Sequence, residues 1–180
     1  MKTYFEEIRN GQRLLAAHPK TLFIGQSVRY EGHALFKTMQ EEDGTPIVPF
    51  DKRIELPVIE DFQMGFCTGM ALAGYVPVSI FPRWDFLLLA ANQLVNHLDK
   101  IPLVGDFCPK VIIRTTVGAK FPLNSGWQHT QDHTAAFRLM LKTVEVLEIN
   151  SKWDAMPAYQ RAHDALGSVL IVERQDAYNE

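Results

Sequence analysis

The sequence has 180 residues, 47% of them apolar, which is enough for one domain with a full core and too apolar for a disordered chain. It carries 18 basic residues against 21 acidic ones, a net charge of −3 with no basic run, which argues against a nucleic-acid partner. No apolar stretch approaches the roughly 20 residues that span a bilayer, and the first residues are mixed and charged rather than leader-like, so a cytoplasmic, reducing setting is expected.

In chain order, residues 2–17 predict an amphipathic helix with Tyr4, Ile8 and Leu15 on one face. Thr21–Gly25 reads as a short buried strand stopped by its glycine, and residues 26–33 as a loop. A short helix is expected over 34–41, then a polar turn region with Gly44, Pro46 and Pro49 over 42–53. The apolar run Leu56-Pro-Val-Ile59 leads into Glu60 and a helix that carries Gly65, Gly69 and Ala73 on one stripe, because residues four apart share a helix face. Glycine costs about 1 kcal/mol in a helix interior relative to alanine, so two on one stripe point to close approach by another backbone. That backbone belongs either to another chain in an assembly or to the same domain's own packing.

Tyr75–Phe81 predicts a strand with Pro77 near its start, where proline is tolerated. Residues 84–99 predict one helix, apolar almost all round in its first half and therefore buried. Strands are expected at Lys110–Thr115, Val144–Ile149 and Ser168–Glu173. Helices are expected from about Thr134 to Leu141 and from Pro157 to Leu166, with a loop rich in Gly, Asn and His over 117–133. Alternating strands and helices indicate an α/β fold, three-layer α/β/α with a mainly parallel sheet, and residues 1–180 read as a single domain. Cys67 and Cys108 show neither metal-ligand spacing nor a C-x-x-C motif, and both are expected as buried free thiols.

Glu60 sits at a strand-to-helix junction, the kind of place where open α/β sheets bind ligands. Taken alone, it also reads as a solvated acid favoured by the helix dipole. The surrounding stretch, Leu56-Pro-Val-Ile-Glu-Asp-Phe-Gln-Met-Gly-Phe-Cys-Thr-Gly-Met-Ala-Leu-Ala-Gly74, resembles the pyrimidine-binding domain of thiamine-diphosphate enzymes. In particular it resembles the beta subunit of the 2-oxo acid dehydrogenases in the transketolase group. Pro57, Glu60, Gly65, Gly69 and Gly74 stand in the family's register. Five further fragments follow the family in order: Thr3–Ile8, Leu22–Val28, Trp84–Phe86 with Asn92–Asn96, Val111–Thr115 and Trp127–Gln131.

The resemblance implies the cofactor thiamine diphosphate, with Glu60 activating its aminopyrimidine. A carboxyl group in an apolar pocket can hold and share the proton which that ring nitrogen needs. Phe86 is expected against the aminopyrimidine, or else in ordinary core. Ile59, directly before Glu60, is expected to contact the cofactor. His129 is expected to act on the substrate oxygen, or else to be a surface loop histidine, and His133 is expected to be secondary. The family usually carries an acid where this chain has Gln26. Its diphosphate and magnesium are held by a second domain with a Gly-Asp-Gly signature and a downstream Asn. Here Gly105-Asp106-Phe107 lacks the second glycine, and Ala135 and Ala136 stand where the Asn would be. The resemblance thus implies a diphosphate-binding partner subunit that holds the magnesium, in a hetero-oligomer or homodimer, with the diphosphate-binding and C-terminal domains outside this sequence. The implied activity makes or breaks a carbon–carbon bond next to a carbonyl, in 2-oxo acids or ketol donors. The rival readings are a non-catalytic assembly or regulatory relative, and an unrelated flavodoxin-like domain. The loop after the first strand has no phosphate cradle, which counts against the second.

Overall fold

Each central strand buries both of its faces, and that sets the architecture. In the computed structural model, which describes residues 2–120 and 124–179, six strands form one parallel sheet. They are β1 (Thr21–Gly25), β2 (Arg53–Glu55), β3 (Val76–Ile80), β4 (Ile112–Val117), β5 (Glu145–Ile149) and β6 (Val169–Arg174), in the order β2-β1-β3-β4-β6-β5. Successive side chains point to opposite faces of a strand. Phe23, Ile112, Val169 and Ile171 therefore enter one core, and Ile24, Ile113, Leu170 and Val172 enter the other.

Helices α1 (Tyr4–Ala17), α2 (Ala34–Thr38) and α7 (Lys152–Asp164) cover the first face. Helix α3 (Glu60–Leu72), the helical stretch from 84 to 98 and α6 (Thr134–Met140) cover the second. The expected three-layer α/β/α fold is borne out. The chain steps outward from β1 to β2 and then crosses back over β1 to β3. This reversal makes the carboxyl ends of β1 and β3 the topological switch point, the place where such sheets take ligands. Strand β6 inserts between β4 and β5, which departs from the flavodoxin-like order 2-1-3-4-5.

Several boundaries differ from expectation. Helix α7 starts at Lys152 rather than at Pro157, because Asp154 accepts from the backbone N–H and hydroxyl of Ser151 and closes the first turn. Pro157 sits inside the helix on its exposed side. The stretch from 84 to 98 is not one regular helix. It runs as α4 (Trp84–Leu87), a 3-10 turn (Leu88–Ala90) and a wide π turn (Gln93–Leu98), followed by the short α5 (Ile101–Val104). Nor is it buried all round. Trp84, Leu87, Ala90 and Leu94 face the core, but Leu88 is 39% exposed and Leu89 64%, because the sheet and α3 cover only one side. Cys67 is buried, and burial pushes its thiol up to about 12. Cys108 is free but exposed, since the segment after α5 runs over the surface. Among the described residues, no helix is long and apolar enough to cross a membrane.

Candidate functional site

The site is built from loops at the carboxyl edge, starting at the end of β1. Gly25 has φ +152°, and a Cβ there would lie 2.2 Å from the Ile80 carbonyl oxygen and 3.0 Å from Gln63 Nε2, so the position takes only glycine. Glu55, the last residue of β2, then gathers the next turn. Its carboxylate accepts from the N–H groups of Ser27 at 2.7 Å, Val28 at 2.8 Å and Arg29 at 2.7 Å. This sets the direction of Gln26, whose Nε2 donates to Glu60 Oε1 at 3.1 Å.

Glu60 opens α3 and is only 4% exposed, so it is not the solvated acid that its position alone allows. Gln63, one turn on, fixes the helix to the sheet by donating to Ile80 O at 2.9 Å and Ser79 Oγ at 3.2 Å. Glu60 Oε2 has no hydrogen-bond partner among the described residues. Ile59, beside it, is 43% exposed and open to a ligand. On the helix stripe, a Cβ at Gly65 would meet only the Gln93 side chain at 3.5 Å, and one at Gly69 would meet nothing within 4 Å. Among the described residues, no backbone outside the helix itself therefore comes close at Gly69.

At the neighbouring strand end, Arg83-Trp84-Asp85-Phe86 follows β3. The Phe86 ring is half-buried and meets the His129 ring edge-on, with centroids 5.6 Å apart. The structure thus brings Phe86 and His129 together. It also separates the two neighbouring histidines, because His133 packs against Trp84 with centroids 6.1 Å apart. Residues 121–123 of the expected loop lie outside the described residues. Arg83 Nη1 donates to Gly118 O at 2.6 Å and to His129 O at 3.0 Å, and Nη2 donates to Ser125 Oγ at 3.1 Å.

His33, on the loop after β1, is half-buried. Its Nδ1 accepts from Leu35 N–H, and burial together with the Arg83 and Arg114 guanidiniums pushes the ring down to about 4. Sequence reasoning missed Glu55, Arg83 and His33. A carboxylate ending a strand is a faint signal for Glu55, and nothing local marks the other two.

The arrangement offers a buried carboxyl with one oxygen free, an aromatic ring, and an imidazole held against that ring. Such groups can exchange a proton with a heteroaromatic nitrogen, stack on its ring, and hydrogen-bond a substrate oxygen. Among the described residues, no three or more His, Cys, Asp or Glu side chains converge as a metal site.

No family profile matches the chain. It is 27% identical over 171 residues to the mitochondrial pyruvate dehydrogenase E1 component subunit beta of Chaetomium thermophilum, covering 91% of this chain and 42% of the relative. It is 30% identical over 133 residues to the pyruvate dehydrogenase E1 component subunit beta of Staurastrum punctulatum, covering 71% of this chain and 38% of the relative. It is 26% identical over 170 residues to the mitochondrial beta-1 subunit of Arabidopsis thaliana, covering 92% and 45%. The chain therefore spans less than half the length of these curated relatives. Among solved structures, a split-gene transketolase described as an inactive beta4 tetramer shares the fold. Its TM-score is 0.70 at 15% identity, covering 96% of this chain and 51% of that one. The curated relatives bear out the resemblance to the beta subunits of 2-oxo acid dehydrogenases, and the solved structure bears out the fold.

Proposed function

We propose that this relative of pyruvate dehydrogenase beta subunits is the pyrimidine-binding half of a split thiamine-diphosphate enzyme, acting on 2-oxo acids or ketol donors. The observation that carries this reading is the buried Glu60 carboxyl, with the Gln26 amide on one oxygen and the other free. Bound thiamine diphosphate would supply a thiazolium carbon and an electron sink for making or breaking a carbon–carbon bond beside a carbonyl. Glu60 would hold and share a proton with the far nitrogen of the pyrimidine ring. Because Gln26 donates to Oε1, Oε2 is the atom that would carry it. Phe86 would pack against the aminopyrimidine, a contact that contributes about 1 kcal/mol beyond burial. Ile59 would cover the ring beside Glu60. His129, held on Phe86, would hydrogen-bond the substrate oxygen or move a proton to it.

A partner subunit would hold the diphosphate and the magnesium. Val58, Ile59, Phe62, Leu88 and Leu89 expose apolar surface around the start of α3 and the turn packed on it, and surface of this kind marks an interaction face. Gly69, with open space beyond it, leaves room for a partner helix. A second reading, a non-catalytic relative kept for assembly or regulation, is favoured by one observation: an amide stands on Glu60 where the family carries an acid.

The test is to isolate the chain with its partner from the native host and to assay the pair with thiamine diphosphate and magnesium. We expect a partner carrying Gly-Asp-Gly and a downstream Asn, and activity that needs both chains. Glu60→Ala should lower kcat by at least about 100-fold while circular dichroism stays unchanged. A wild-type pair that binds no thiamine diphosphate would replace this reading with the non-catalytic one.

A further inference from the structure

Arg83 is a half-buried guanidinium whose bonds go to two carbonyls and a hydroxyl, and to no carboxylate among the described residues. All three acceptors lie on the segment between β4 and α6: Gly118 at its start, Ser125 in its middle and His129 near its end. Other contacts fasten this segment at its margins. Lys120 N–H donates to Asp176, Gln131 to Asp85, Arg174 to Asp132, and Trp84 Nε1 to Thr134. Of these anchors, only Arg83 bonds to His129 itself. The neighbouring turn is local, closed by His129 N–H and Thr130 Oγ1 on the Gly126 carbonyl. Phe86, three residues beyond Arg83, meets the imidazole. One short run after β3 therefore sets both the backbone and the ring of His129. A planar fork of donors suits several acceptors at once, which an ammonium cannot match.

We propose that Arg83 is the positioning residue for His129, tying its loop to the carboxyl end of β3 so that the imidazole is held in place before any ligand arrives. The inference rests on the reading of His129 as a site residue, and its first test is made on the full chain without cofactor or partner. In Arg83→Met, amide hydrogen exchange over residues 124–131 should quicken at least about tenfold while the sheet amides keep their protection. The His129 ring protons, shifted in wild type by the Phe86 ring, should move to the values of a free histidine. Arg83→Lys should restore part of both effects. Phe86→Leu should remove the ring shift and leave the exchange slow. Should Arg83→Met fail to fold, Ser125→Ala deletes one of the three bonds and should give a smaller change of the same kind. Wild-type exchange over 124–131 in Arg83→Met, or in Ser125→Ala where Arg83→Met does not fold, would overturn the proposal.

With the partner supplied, Arg83→Met should lower kcat and leave cofactor affinity intact, and Arg83→Met/His129→Ala should be no slower than His129→Ala alone. A loosened loop with kcat unchanged in both Arg83→Met and His129→Ala would overturn the site role of His129, and with it the positioning role of Arg83. That outcome is distinct from a loop that never loosens.

Discussion

Glu60 and Gln26 meet because a second carboxylate, Glu55, ties down the turn that follows Gln26. An amide in place of an acid changes what Glu60 faces: Gln26 donates to it, whereas two carboxyls that close would have to share a proton. His33 illustrates a different residue-scale effect. Its ring is held at about 4 by burial and by the Arg83 and Arg114 guanidiniums, with Glu173 opposing them, well below the roughly 6.5 of an exposed histidine. The unfolded chain therefore binds the extra proton between those two values. The stabilisation is complete above about pH 6.5 and is lost as the pH falls toward 4. Urea titrations at pH 7 and pH 4.5 should show wild type losing on the order of 2 kcal/mol from this group. His33→Asn, which keeps an acceptor for the Leu35 N–H, should lose less over that interval.

At the scale of elements, the connections carry most of the specificity. Asp99, at the end of the 84–98 stretch, is fully buried, and its carboxylate accepts from the N–H groups of Lys142, Thr143 and Val144, the turn that delivers β5. Burial pushes this carboxyl up, but the Lys100 ammonium and those N–H groups outweigh it and hold the group at about 2. A depressed carboxyl stabilises the fold above its unfolded value of about 4, and that contribution disappears as the pH falls toward 2. Asp99→Asn should therefore cost about 2–3 kcal/mol at pH 7, read by chemical denaturation, and the difference from wild type should close as the pH approaches 2. The packing of α1 on α7 is as specific. A Cβ on Gly11 would fall 2.2 Å from the Tyr159 ring, and that ring is fixed because its hydroxyl donates to buried Glu173.

Taken whole, the molecule covers both faces of its sheet yet leaves apolar side chains outside one helical layer. Phe62 is 54% exposed and Leu89 64%, beside the edge that holds Glu60. If the proposed partner docks there, Leu89→Lys should abolish co-elution of the two chains on size exclusion. The isolated chain should unfold within about 0.5 kcal/mol of wild type, because the side chain packs on nothing essential within it.

Apart from β2, three residues long and overlapping the expected turn region, the order of strands and helices was legible in the sequence, because alternation of period two and stripes of period 3.6 are local properties of the chain. The Glu60 junction was legible in the same local way, as a carboxylate between an apolar run and a helix, whereas His129 was singled out only through the resemblance of Trp127–Gln131 to the family's loop. The start of α7 was misplaced because Pro157 suggested a first turn that the Ser151–Asp154 pair had already closed. The exposure of Leu88, Leu89 and Cys108 depends on what lies above each surface, which composition does not reveal. Glu55 reaches its turn across 26–28 residues of chain, and Arg83 reaches His129 across 46. No window of sequence holds both ends of such bonds. By itself, then, the sequence determined the α/β layers and where the candidate site begins. Only the tertiary structure decided which side chains aim and fasten that site, because that depends on strand order and on the loops which the parallel sheet gathers at one edge.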